Sequence, residues 1–180
     1  MEHRTPESLL EQGRKAKSER RPEDARNAFR EALPECHGGE DGPLLATLYE
    51  ELAYVERNLR DLESAELHYR KASELYRGLD NLLKTAHTIR HVADILREQN
   101  KRDESALSYA EALEIYRNHQ ETPPLDLANA IRGFALLKED QEDRAQAIGL
   151  WQEAAKLYEL TGIEVGVAES KTRIGLLTGE

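Results

Sequence analysis

The chain has 180 residues, of which 39% are hydrophobic and 33% are charged, and its formal net charge is −10 at pH 7. This negative charge argues against non-specific nucleic-acid binding, which depends on Lys and Arg contacts to phosphate. The single cysteine, Cys36, excludes an internal disulfide. No stretch is apolar enough to span a bilayer, and the N-terminus lacks the apolar core of a signal peptide. The sequence therefore predicts a cytoplasmic protein without membrane insertion.

The pattern of apolar residues predicts helices throughout, because no alternating β-branched run bounded by turns is present. Thr5 and Pro6 suit the N-cap and the first position of the first helix. The Gly-rich stretch from Cys36 to Pro43 is the longest predicted loop. The sequence predicts nine helices, over about residues 6–18, 22–34, 44–58, 61–76, 81–99, 103–116, 125–139, 142–160 and 163–178.

A small–large–small pattern recurs at a nearly fixed interval along the chain. The large residue returns every 40 to 42 residues, with a small residue four places before it and another three places after it. A fixed period of this length is the signature of a repeat array. The large residues are Phe29, Tyr69, Tyr109 and Trp151, and the small residues are Ala25, Ala65, Ser105 and Ala147 before them and Ala32, Ala72, Ala112 and Ala154 after them.

This pattern resembles the tetratricopeptide repeat family, whose helix pairs carry small residues at consensus positions 8, 20 and 27 and a large residue at position 24. The resemblance implies an all-α solenoid, wound as a right-handed superhelix, that forms a single domain over residues 1–180. The period is longer than the 34 residues of the commonest form and indicates a long-repeat variant. The predicted repeats cover about residues 6–37, 43–79, 81–118 and 124–161, and a capping helix covers 163–178.

The same resemblance implies a concave groove lined by the first helix of each pair, at consensus positions 2, 5, 9 and 12. Six basic and four acidic residues occupy these sixteen positions, although the whole chain has 25 basic and 35 acidic residues. The groove is therefore expected to be mildly basic on an acidic protein. The candidate peptide-binding residues are Arg14, Lys17, Tyr54, Arg57, His87, Arg90, Asp94, Arg97, Asn129 and Arg132.

Four arginines of this set, at positions 57, 90, 97 and 132, are expected to lie close together. Arginine makes bidentate contacts to carboxylates, and charged clefts attract ligands of opposite charge. The sequence thus suggests an acidic or carboxylate-bearing peptide as the ligand. The alternative is that these arginines solvate a polar face and pair with Glu50, Asp94 and Glu139.

Two other groups of residues carry side chains that could take part in chemistry. His87, His91 and Asp94 share one helix face, but no fourth metal ligand is evident. Cys36 and His37 are adjacent in a loop, without the third group that would orient a nucleophile and its base. The sequence therefore predicts no catalytic residue, no metal and no cofactor.

Taken together, these patterns predict a non-catalytic interaction module that binds a peptide or a partner protein. The alternative is a structural protein that assembles with itself through its ends or its convex face. The last predicted helix offers Ile174, Leu176 and Leu177 for such contacts, and a poorly polar end lets solenoids stack.

Overall fold

The protein is described by a computed structural model over residues 4–36 and 39–179, and no residue in these ranges forms a strand. Two short 3₁₀ turns, Leu33–Glu35 and Gly39–Asp41, separate the second helix from the third. Nine α-helices are present in the described ranges: α1 (Pro6–Ser18), α2 (Pro22–Ala32), α3 (Gly42–Asn58), α4 (Leu62–Gly78), α5 (Leu82–Glu98), α6 (Arg102–Asn118), α7 (Pro124–Asp140), α8 (Arg144–Thr161) and α9 (Glu164–Thr178).

The helix starts follow from local side-chain chemistry. The Thr5 side chain accepts a hydrogen bond from the backbone N–H of Ser8, and Pro6 occupies the first turn, as the sequence predicts. Asp61 and Asp143 cap α4 and α8 in the same way. Each cap satisfies a backbone N–H that has no partner within the helix.

Several predicted boundaries differ from the structure by one or two residues, and three of them have a clear local cause. α2 ends at Ala32, because Pro34 lies in a 3₁₀ turn. α3 begins two residues early, at Gly42, because Pro43 fits the first turn of a helix. α8 begins two residues late, because Glu142 has a left-handed φ of 61° and the cap falls on Asp143. Part of the predicted loop and the end of the first predicted repeat, at His37 and Gly38, lie outside the described residues.

The repeated large residues are the centres of packing. Phe29, Tyr69, Tyr109 and Trp151 are all buried, and so are the small residues on either side of each. Around Phe29, the apolar cluster joins α1, α2 and α3 through residues such as Leu9. The small–large–small pattern therefore marks core positions, as predicted.

The chain divides into two compact units, Met1–Ile95 and Leu96–Glu180, and the division falls within α5. In the first unit, α2 and α4 pack against α3. In the second, α7 packs against α6 and α8, and α9 packs against α8. The single domain over residues 1–180, its four repeats and its capping helix stay predictions. None of the helices in the described ranges has the length and apolarity needed to cross a bilayer.

Close packing between a glycine and a ring generates a first prediction. A Cβ atom at Gly133 would lie 2.6 Å from the Tyr109 hydroxyl oxygen, whereas one at Gly149 would meet nothing within 4 Å. Gly133→Ala should lower the free energy of unfolding by about 1–3 kcal/mol through overpacking. Gly149→Ala, the matched control in the same unit, should raise it by up to about 1 kcal/mol through helix propensity. Urea denaturation measures both, and equal effects of the two substitutions would contradict this account of the packing.

Candidate functional site

A continuous polar surface runs over α1, α3 and α5 in the first unit. Hydrogen bonds and shared cavity walls connect its side chains from one helix to the next. We call this surface the A-helix face, because these are the first helices of successive pairs. It comprises Arg14, Lys17, Glu50, Glu51, Tyr54, Arg57, Lys84, His87, Arg90, His91 and Asp94.

One carboxylate brings two of the predicted arginines together. Asp94 Oδ2 accepts hydrogen bonds from Arg90 Nη1 at 3.0 Å and from Arg57 Nη1 at 3.3 Å. The Asp94 side chain is only 14% exposed. Its two hydrogen bonds hold both guanidinium groups in place. Arg57 and Arg90 therefore lie close together, and they also pair with Asp94 as the alternative reading expects.

Aromatic rings enclose the two histidines of α5. The His91 ring stacks on Tyr69, with centroids 4.9 Å apart, and meets His87 edge-on at 4.7 Å. Burial, followed by the charges of His91 and Arg90, lowers the pKa of His87 to about 4, although Glu50 opposes this. Burial also lowers the pKa of His91, although Asp94 opposes this. Both imidazoles are therefore neutral at pH 7 and add no positive charge to the A-helix face.

Glu50 is held by two donors and stays ionised. It accepts a hydrogen bond from the Tyr76 hydroxyl at 2.6 Å and bonds from Lys84 Nζ at 3.1 and 3.2 Å. Burial alone would raise the pKa of Glu50, but the Tyr76 hydroxyl and the positive charge of Lys84 outweigh burial and lower the pKa.

Glu51 joins α3 to α1. Its carboxylate accepts a hydrogen bond from Arg14 Nε at 2.9 Å and another from Lys17 Nζ. The Lys17 ammonium also lies over the Tyr54 ring, 4.9 Å from its centroid. Tyr54 itself is 45% exposed, so its outer part is open to solvent among charged side chains.

Two cavities open along the A-helix face. The smaller has about 130 Å³, room for a few water molecules, and the larger has about 510 Å³, within the range of ligand pockets. The smaller is lined by Lys17, Glu50, Glu51, Tyr54, Tyr69, His87 and His91. The larger is lined by Arg14, Pro43, Thr47, Tyr76, Leu79, Asn81 and Lys84.

Three predicted residues lie in the second unit and are engaged there. Arg97 pairs with Asp140 at 3.1 Å. Arg132 makes a bidentate pair with Glu169, at 2.6 and 2.7 Å. The amide oxygen of Asn129 accepts a hydrogen bond from the Tyr158 hydroxyl at 2.9 Å. The proximity of Arg97 and Arg132 to Arg57 and Arg90 stays a prediction.

Neither of the other two candidate groups of residues gains support as a chemical site from the described residues. Within residues 4–36 and 39–179, no group of three or more His, Cys, Asp and Glu side chains is arranged to hold a metal ion. Burial raises the pKa of the Cys36 thiol, which disfavours the reactive thiolate. Its sequence neighbour His37 lies outside the described residues.

Comparison with known proteins agrees with this architecture. Residues 44–118 match the model of a tetratricopeptide repeat family. These residues are tetratricopeptide repeats. A search of curated proteins found no match to the chain.

Solved structures extend the tetratricopeptide fold to nearly the whole chain. BtubC from P. vanneervenii is 18% identical, with a TM-score of 0.71, and the match covers 97% of this chain and 81% of that one. Aspartyl phosphate phosphatase F from Bacillus subtilis is 12% identical, with a TM-score of 0.86 and coverages of 98% and 46%. A signal transduction ATPase from Pyrococcus horikoshii with a tetratricopeptide repeat sensor is 18% identical, with a TM-score of 0.77 and coverages of 96% and 26%.

At these identities the likeness shows the fold alone, and the predicted fold class, an all-α tetratricopeptide solenoid, is confirmed. The chain spans less than half the length of the phosphatase and about a quarter of the length of the ATPase.

The tetratricopeptide consensus also explains which residues sequence reasoning missed. Glu51 and Lys84 belong to the A-helix face, and Tyr76 donates a hydrogen bond to Glu50 on it, but none of the three occupies consensus position 2, 5, 9 or 12. The spacing of charged residues along the sequence nevertheless indicates these contacts. Oppositely charged residues pair between successive first helices at separations of 34 or 37 residues, as in Lys17–Glu51 and Arg57–Asp94.

The neutral histidines generate a second prediction. The folded-state pKa of His87 lies below its unfolded value, so between about pH 6.5 and pH 4 the unfolded chain binds more protons than the folded one. Stability should therefore fall as the pH falls through this window. From pH 7 to 5.5, wild type should lose up to about 1 kcal/mol more unfolding free energy than His87→Gln. Urea denaturation at both pH values measures this, and parallel losses in the two proteins would contradict it.

Proposed function

We propose that this protein is a non-catalytic interaction module that binds a peptide or a partner protein on its A-helix face. Tetratricopeptide repeats imply a protein-interaction scaffold, and the fold and residues 44–118 support that reading. The observation that carries the proposal is that two cavities border one polar surface and that the exposed Tyr54 lines the smaller of them. A cytoplasmic location and the absence of catalysis are parts of the same proposal.

Tyr54 is the natural anchor for a ligand. Large aromatic side chains contribute a disproportionate share of binding energy in protein interfaces, and charged groups around them exclude water and set specificity. Tyr54 is 45% exposed, and Lys17 and Glu51 lie beside it.

The proposed ligand is acidic or bears a carboxylate. Asp94 holds Arg57 and Arg90 in fixed orientations, so little side-chain entropy remains to be lost when a ligand binds. In the second unit, Arg97, Asn129 and Arg132 stay candidate contacts by their consensus positions. Each of these side chains already has a protein partner, so a ligand carboxylate would add to an existing network.

A third prediction tests the site by photo-crosslinking in a lysate of the source organism. With benzoylphenylalanine in place of Tyr54, we expect one dominant crosslinked protein, identified by mass spectrometry. The same group in place of Leu107, an exposed residue on α6, is the matched control and should not capture that protein. Equal capture from both positions, or none from Tyr54, would contradict the proposal.

The charge on this face can be tested in the same assay. Arg57→Glu should weaken the crosslink from position 54, because it adds a like charge to the face that an acidic ligand approaches. Arg117→Glu reverses an exposed arginine that pairs with Glu153 and should leave the crosslink intact. Circular dichroism must show that both variants are folded.

Self-assembly is the second candidate function, favoured by exposed apolar side chains in the second unit. Leu160, Val165 and Leu176 are all largely exposed on α8 and α9. Isolated exposed apolar residues are common in monomers, so we rank this function below peptide binding.

A fourth prediction separates the two candidates by mass. Light scattering across a hundredfold range of concentration should give the monomer mass of 20.5 kDa throughout if the protein is a binding module. A mass that rises with concentration in wild type but not in Val165→Glu would instead support self-assembly.

A further inference from the structure

The larger cavity of the A-helix face has two cations in its wall. It is formed by α1, the first turns of α3 and α5, and the end of α4 with the turn that follows. Its lining residues include Arg14 and Lys84 but no carboxylate. We propose that this cavity, the Arg14–Lys84 cavity, binds one acidic side chain of the peptide ligand. The inference rests on the proposed function and names the ligand's chemistry.

Arg14 has donor capacity to spare. Its Nε donates to Glu51 at 2.9 Å and its Nη1 donates to Glu11 at 3.3 Å. Its Nη2 makes no hydrogen bond within the part of the chain that the structure describes. The side chain is 42% exposed, and Glu51 fixes its orientation from behind. A guanidinium anchored on one edge and open on another is well suited to bind a carboxylate.

Lys84 supplies the second cation. Its Nζ donates to the two oxygens of Glu50, at 3.1 and 3.2 Å, and the side chain is 47% exposed. An ammonium carries three N–H donors, so one carboxylate partner does not exhaust it. The cavity wall also contains Pro43 and Leu79, which can cover the aliphatic part of an Asp or Glu side chain.

Arg57 and Arg90 are less available than these two residues. Arg57 is 25% exposed and Arg90 only 14%, and both donate to Asp94. Arg90 Nη2 also lies 2.6 Å from the Nε2 atom of His91. A ligand carboxylate would reach little of the Arg90 side chain, whereas at Arg14 and Lys84 it would meet exposed donors.

The cavity should select one carboxylate, not a run of acidic residues. Glu50 and Glu51 lie directly behind Lys84 and Arg14 and offset much of their charge. With little net positive potential, attraction depends on short, directed contacts. The ligand is therefore expected to carry a single required Asp or Glu in an otherwise variable sequence.

A fifth prediction tests this with a phage-displayed library of random linear nonapeptides. Selection on wild type should enrich Asp or Glu at one position of the bound peptides. The same selection on Arg14→Gln and on Lys84→Gln should lose this enrichment. Arg117→Gln removes an equally exposed cation elsewhere and should retain it. Thermal melts followed by circular dichroism check that each variant is folded.

Calorimetry on one selected peptide completes the test. Lys84→Gln should bind it about tenfold more weakly than wild type, as expected for loss of a charge-assisted contact. Replacing the enriched acid by its amide in the peptide should weaken binding to wild type similarly and should cost Lys84→Gln little further.

Three outcomes would overturn the inference. Acid enrichment that persists in both cavity variants would place the carboxylate elsewhere. Peptides selected by wild type without any acid preference would refute the cavity assignment but leave the proposed binding function standing. Selection of no peptide would contradict the inference too, and the Tyr54 crosslink then decides separately whether a folded partner protein binds this face.

Discussion

The close approach of helices at glycine–ring contacts constrains the rest of this structure. A Cβ atom at Gly13 would lie 2.2 Å from the Phe29 ring, and one at Gly166 would lie 2.5 Å from the Tyr158 ring. Gly133 and Tyr109 repeat the contact. Because protein interiors are close-packed, no neighbouring side chain can absorb an extra carbon there without moving the helix. The separation of these successive helices is thus set by the rings and the glycines opposite them.

Because the helix separation is fixed, the same kinds of charged pair form between successive first helices. Lys17–Glu51 and Lys84–Glu50 are each 34 residues apart, and Arg14–Glu51 and Arg57–Asp94 are each 37 apart. The second unit repeats both spacings, in Glu139–Arg173 and Arg132–Glu169. The repeat period is 40 residues. A partner 37 residues away therefore lies about one helical turn before the equivalent position of the next first helix, and a partner 34 residues away lies about two turns before it. The polar surface is therefore an ordered network, and a ligand must add to it without unpairing it.

The sequence predicts the packing better than the candidate site, for a physical reason. Core positions repeat because each helix pair buries its ring in the same way, so Tyr69 and Trp151 are recognisable from spacing alone. Helix starts are less regular, since the left-handed φ of Glu142 leaves no simple mark in the sequence. The site depends on long side chains that reach across helices. Lys84 was missed for that reason, and the neutral state of His87 depends on burial that spacing does not reveal.

Long-range and short-range electrostatics act in opposite directions on an acidic ligand. The protein carries a net charge of −10, which repels an acidic partner at a distance. The contacts at Arg14 and Lys84 act only at hydrogen-bond range, and Glu50 and Glu51 reduce the field that these cations project into solvent. Added salt screens the distant repulsion over a Debye length of about 10 Å at 0.1 M and weakens a direct contact less. Association with an acidic ligand should therefore depend more on the fit of one carboxylate in its cavity than on electrostatic steering, unlike the interaction of strongly charged pairs.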